Sequence, residues 1–111
     1  MRTKGKEFRL GNDTIMLYPI SFLAEALSKA LESPRTTQTI RKWETKGIIP
    51  KALFRNAGVR LYSKRQIDII CRVAKECDIK QGLSLEESNF KNRVHKEIGE
   101  INKMYKKRMA K

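Results

Sequence analysis

The richest concentration of hydrogen-bonding and cationic side chains in this 111-residue sequence lies in residues 34–66, which hold nine Lys/Arg and a single acid, Glu44. Inside it runs Thr37-Gln38-Thr39-Ile40-Arg41-Lys42-Trp43-Glu44-Thr45-Lys46. As a helix advancing about 100° per residue, this segment sorts its side chains into two arcs. Thr36, Thr39, Ile40 and Trp43 share one side. Thr37, Gln38, Arg41, Lys42 and Thr45 share the other, with Glu44 at its edge. An ordinary solvated face mixes acids with bases; this polar arc has none of the former. Long donors on a slim helix suit the major groove of a duplex, where Arg matches guanine and Gln matches adenine. Arg41 and Gln38 are therefore the candidates for base reading. Thr37 and Lys42 suit phosphates or neighbouring bases. Arg35, at the amide-rich start of the helix, suits a phosphate. Beyond Pro50, Lys51, Arg55, Asn56 and Arg60 place further donors where they suit backbone or minor groove. Lys64 and Arg65 suit either a phosphate or plain surface.

Catalytic readings find little support. His95 is the one histidine and reads as surface on a basic helix. No Gly-rich phosphate loop, clustered carboxylates or nucleophile–base pair is visible. Cys71 and Cys77 match no metal spacing, and on a helix they sit about 240° apart, facing different ways. They read as reduced, mostly buried thiols. No cofactor and no metal are expected.

The whole chain carries 25 Lys/Arg against 12 Asp/Glu, a formal charge of +13. Such an excess repels itself unless a polyanion is met; a purely solubilising charge is the bland alternative. Residues 34–66 hold +8 of it, and residues 84–111 hold +4. The start of the chain does not read as a signal peptide, and no apolar run reaches the ~18 residues of a membrane span. A cytoplasmic protein is expected.

The elements that must carry these residues follow from pattern. Residues 1–7 read as a flexible basic lead. Phe8-Arg9-Leu10 and Thr14-Ile15-Met16-Leu17-Tyr18 flank Gly11-Asn12-Asp13, as in a small hairpin. Pro19 opens a helix over residues 20–31, with Ile20, Leu23, Ala24, Leu27 and Leu31 on one face. Glu32-Ser33-Pro34 breaks it. Thr36 caps the helix 36–46 and Gly47 ends it. Residues 51–58 read as a loop and Val59-Arg60-Leu61-Tyr62 as a short strand. Ser63 and Gln66 form a capping box for a helix 64–77, with Ile67, Ile70, Cys71, Ala74 and Cys77 as its buried stripe. A connector over residues 78–83 precedes a second capping box, Ser84 with Glu87. Phe90, Val94, Ile98, Ile101, Tyr105 and Met109 then mark a narrow stripe on a long basic helix. The stripe suits pairing with a second copy, a homodimer through residues 84–111, or folding back on its own domain. Pairing is favoured, because so narrow a stripe is marginal alone.

The segment TTQTIRKWETKGIIP, followed by a basic loop and GVRLYSKRQID, resembles the winged helix-turn-helix of MerR-type transcription regulators. The matching positions are Thr39, Ile40, Arg41, Trp43, Glu44, Gly47, Ile48, Ile49 and Pro50, then Gly58, Val59, Arg60, Leu61, Tyr62 and Ser63. Leu83-Ser84-Leu85-Glu86-Glu87 is similar to the family's entry into its next helix. Lys42 and Val59 stand where the family usually has aromatics, and the turn before residue 36 is longer. The contacts of those aromatics therefore do not carry over. The resemblance implies a mainly α fold: a winged helix-turn-helix over residues 8–83 with a small N-terminal hairpin and wing strands, then a C-terminal helix over 84–111. It also implies an ion pair between Glu44 and Arg60, and a nucleoid-associated protein of a bacterial or phage context. With one helix after residue 84 and no thiolates near it, no small-molecule effector is expected. The functional reading is a sequence-specific, double-stranded DNA-binding transcription regulator that uses recognition helix 36–46 and basic wing 51–60. The alternative is an architectural or DNA-processing accessory protein: excisionase-like, or for segregation or phage DNA packaging. RNA binding is weaker, since paired exposed aromatics are lacking.

Overall fold

A computed structural model describes residues 6–10, 13–56, 58–77 and 89–109. The turn at Gly11-Asn12, the connector 78–83 and the Ser84/Glu87 box lie outside the described residues, as do positions 1–5. Among the described residues, four helices pack on a four-stranded antiparallel sheet of order β1-β2-β4-β3.

Strands β1 (Lys6–Leu10) and β2 (Asp13–Pro19) form the N-terminal hairpin, with Phe8 opposite Ile15. The first strand begins within the stretch expected to be a flexible lead. Helix α1 (Ile20–Leu31) follows at once, with Pro19 at its N-cap and Ile20, Leu23, Ala24 and Leu27 buried. Glu32, at φ 52°, ends it in the left-handed conformation. Ser28 then secures the turn: its Oγ donates to the Ala24 carbonyl at 2.8 Å and accepts the Arg35 amide at 2.7 Å. The turn is thereby fixed in spite of its length.

Helix α2 (Thr37–Thr45) starts at Thr36, whose hydroxyl accepts the Thr39 amide, and ends at Gly47 with φ 74°. A side chain at Gly47 would strain that left-handed backbone. The chain turns back to bury Ile49 and enters β3 (Phe54–Asn56), which pairs with β4 (Val59–Ser63). Residues 51–58 are thus not all loop. Phe54 is 3% exposed and packs edge-on against Phe8 and Tyr105, which holds its backbone in line with Leu61.

Helix α3 (Lys64–Glu76) has the capping box: Ser63 Oγ accepts the Gln66 amide at 3.2 Å, and Gln66 Oε1 accepts the Ser63 amide at 2.8 Å. Its buried stripe is Ile67, Ile70, Val73 and Ala74. Cys71, at the edge of that stripe, and Cys77, the C-cap residue, are half-buried and pack against the core, while Val73 is fully buried. Burial, with help from Asp68, pushes the Cys71 thiol up to about 11, so it stays protonated and unreactive near neutral pH.

Helix α4 (Phe90–Met109) corrects the expectation of a free pairing stripe. Phe90, Val94, Ile98, Ile101 and Tyr105 are all buried inside their own chain. The first three complete the core of α1, α2 and α3, and the last two complete the core under the sheet. Tyr105 donates its hydroxyl to Ser63 Oγ at 2.8 Å, and Gln66 Nε2 donates to Asn102 Oδ1 at 2.7 Å. These five positions of the stripe are taken up within their own chain, and the sixth, Met109, is exposed.

Candidate nucleic-acid interface

Ile40 and Trp43 orient α2. Both are buried, and the Trp43 ring lies 5.2 Å from that of Phe90. Anchoring that side turns Gln38, Arg41, Lys42 and Thr45 to solvent, with Thr37 half-buried at the first turn. Lys51 is exposed just beyond Pro50.

Glu44 is the hinge of the arrangement. Only 5% of its side chain is exposed. Oε2 accepts the Ala52 amide at 2.9 Å; Oε1 accepts Arg60 Nε at 2.8 Å and Arg55 Nη2 at 3.2 Å. One carboxylate on the helix therefore holds the approach to β3 and both strands of the second hairpin. Burial alone would raise its pKa; the Ala52 amide, Arg60 and Arg55 outweigh that and hold it below the ordinary carboxylate value. Arg55 and Arg60 are cross-strand partners, a like-charge pair that would repel without the carboxylate between them. Tyr62 is buried nearby, and burial, then Glu44, push its phenol well above the usual range.

Arg41 and Glu44 are three residues apart on α2, hence neighbours on its surface. The exposed donor arc thus adjoins the point where the second hairpin is fastened. Arg35 is folded onto the preceding turn, with Nη1 donating to Ser33 Oγ at 3.0 Å and to the Pro34 carbonyl at 3.1 Å. Asn56 ends β3 opposite Val59, but its side chain lies outside what is described.

A comparison with protein-family models matches residues 22–88 to the MerR helix-turn-helix family of regulatory proteins. The chain belongs to this family. The match spans most of α1, then α2, the second hairpin and α3, so the Glu44 junction lies within the MerR segment and α4 beyond it. No curated protein and no solved structure matches the chain significantly. MerR-family members are DNA-binding regulators rather than enzymes. Among the described residues of this MerR-type chain, no group of three or more His, Cys, Asp or Glu is placed to hold a metal, and no helix is long and apolar enough to cross a membrane.

Two features escaped the sequence. Arg55 shares Glu44 with Arg60, although the resemblance points to Arg60 alone; the cross-strand register that makes them equivalent was hidden with β3. His95 Nε2 lies 2.6 Å from the Gly47 carbonyl, which ties α4 to the end of α2. Nothing in the local sequence around either residue signals that contact.

Proposed function

We propose that the chain binds double-stranded DNA sequence-specifically as a transcription regulator, with α2 as recognition helix in the major groove and the hairpin of residues 51–60 as its wing. The observation that carries this reading is the buried Glu44, which fastens the cationic hairpin beside an acid-free helix face. A helix of this size fits the major groove, and a wing held alongside meets the neighbouring backbone. Arg41 and Gln38 read base edges. Thr37, Lys42, Lys51 and Arg35 hold phosphates, as does Asn56. Arg55 and Arg60 position the wing and present their remaining donors to the backbone.

Arg41→Ala tests the reading. With the binding site selected from a random pool, the variant loses about 1–3 kcal/mol on that site and much less on random duplex, relaxing specificity at one base pair. An equal loss on both duplexes contradicts base reading by Arg41. Genome-wide mapping of bound sites separates regulation, with sites at promoters, from an accessory role at recombination or packaging ends.

A further inference from the structure

Strand β1 stands at one edge of the sheet, with β2 on its inner side and, among the described residues, no strand on its outer side. An edge strand offers a row of backbone donors and acceptors to a further strand. Phe8 packs on Phe54, so its neighbours Glu7 and Arg9 turn to the other face of the sheet, where both are exposed. Neither meets an opposite charge across its own hairpin: Glu7 lies opposite Met16, itself 41% exposed, and Arg9 opposite Thr14. On the Phe8 side the edge borders an open groove of about 390 Å³ that Leu17, Phe54 and the exposed Met109 help to line. The far edge of the sheet, β3, has only three residues.

We propose that β1 pairs antiparallel with β1 of a second copy, in register about Phe8, so that the two sheets continue into one. Charge selects both the partner and the register. A two-fold axis at Phe8 sets Glu7 of each copy opposite Arg9 of the other, which makes two opposite-charge pairs on one face. It also sets the two Phe8 residues opposite each other. A slip of two residues one way puts Glu7 opposite Glu7, and the other way Arg9 opposite Arg9; both repel. A slip of one residue turns the apolar faces of the two sheets to opposite sides. Residues 1–33, which carry β1, hold five Lys/Arg against four Asp/Glu, while the excess charge of the chain lies in residues 34–66 and 84–111. This end therefore opposes the approach of a like-charged copy little. The groove between α3 and α4, about 480 Å³ and lined by Arg65, Arg72, Glu97 and Glu100, offers a second copy less, because Arg72 and Glu97 already bond to each other. The joined sheet ends on both sides at β3, too short to continue the ladder, so assembly stops at two copies.

The test is sedimentation equilibrium of the full-length chain and its E7K and R9E variants, without DNA, at about 0.15 M salt and protein concentrations from about 10 µM to about 1 mM. A short strand pair of about four to six backbone hydrogen bonds is a small interface, so the wild type exchanges reversibly between monomer and dimer within that range. Each variant alone places two like-charge pairs at the seam and self-associates about tenfold more weakly. Mixed in equal amounts, the two variants bring opposite charges together again at both pairs and associate with each other about as strongly as the wild type does with itself. Both side chains are exposed, so far-UV circular dichroism of the variants matches the wild type. A wild type that stays monomeric at about 1 mM overturns the inference. So does a dimer that both variants leave unchanged, which puts the contact elsewhere, and so does a mixture that associates no more strongly than its components.

Discussion

On the α2 face one carboxylate, Glu44, is buried and engaged by Arg55 and Arg60, while Gln38, Arg41 and Lys42 stand exposed in an arc without acids. On the α3–α4 face the same kinds of residue are interleaved: Arg72 bonds to Glu97 and Glu76, and Arg93 to Glu76 and Glu97, all at or near the surface. The second face cancels its own field and needs no partner. The first leaves its field uncancelled and uses its one acid to hold cations in position. A surface kept out of balance in this way attracts a polyanion.

The largest expected effect contrasts the two faces directly. Glu44→Ala leaves two arginines and the Ala52 amide without their shared acceptor and lowers stability by about 3 kcal/mol in urea denaturation. Glu97→Ala, on the balanced face, lowers it by less than about 1 kcal/mol. Similar losses at both positions would erase the distinction. Next in size, Lys51→Ala weakens binding to every duplex alike, by about 1 kcal/mol, and reduces the salt slope by about 1. A loss confined to the selected site would move Lys51 from backbone to base contact.

Acid sharpens the comparison further. Because the folded pKa of Glu44 is depressed, its contribution to stability is present above the ordinary carboxylate value of 4.5 and disappears as pH falls through the lower folded value. The urea midpoint of wild type should therefore exceed that of Glu44→Gln by a constant amount above about pH 6, and the gap should narrow as pH falls below 4.5 and close once pH has passed the lower folded value. A gap that persists in acid would mean that Glu44 acts through packing alone. Smallest of all, Arg72→Ala should leave duplex affinity within about twofold of wild type, since its charge is matched on its own face.

The three helices of the DNA-binding segment were readable from sequence because each announces itself twice, by an apolar period and by a cap: Pro19, Thr36 and Ser63 stand where the helices begin. The candidate interface was readable because it is one helix face, and a helix face is a local property. What stayed hidden depends on distant partners. Strand β3 has three residues and one buried anchor, Phe54, so its identity comes from pairing with Leu61 and packing on Tyr105. The stripe on α4 has the same spacing whether it meets a second copy or its own domain. The space beside Trp43 and beneath the sheet, which decides the matter, has no local signature.

Chemical-shift mapping of the isotope-labelled chain against its selected duplex tests the central claim most directly. The account predicts perturbation of Gln38, Arg41, Lys42 and Thr45 together with residues 51–60, and none at Asp68, Arg72 or Glu97. Perturbation centred on the α3–α4 groove, with Arg41 and the second hairpin silent, would contradict it.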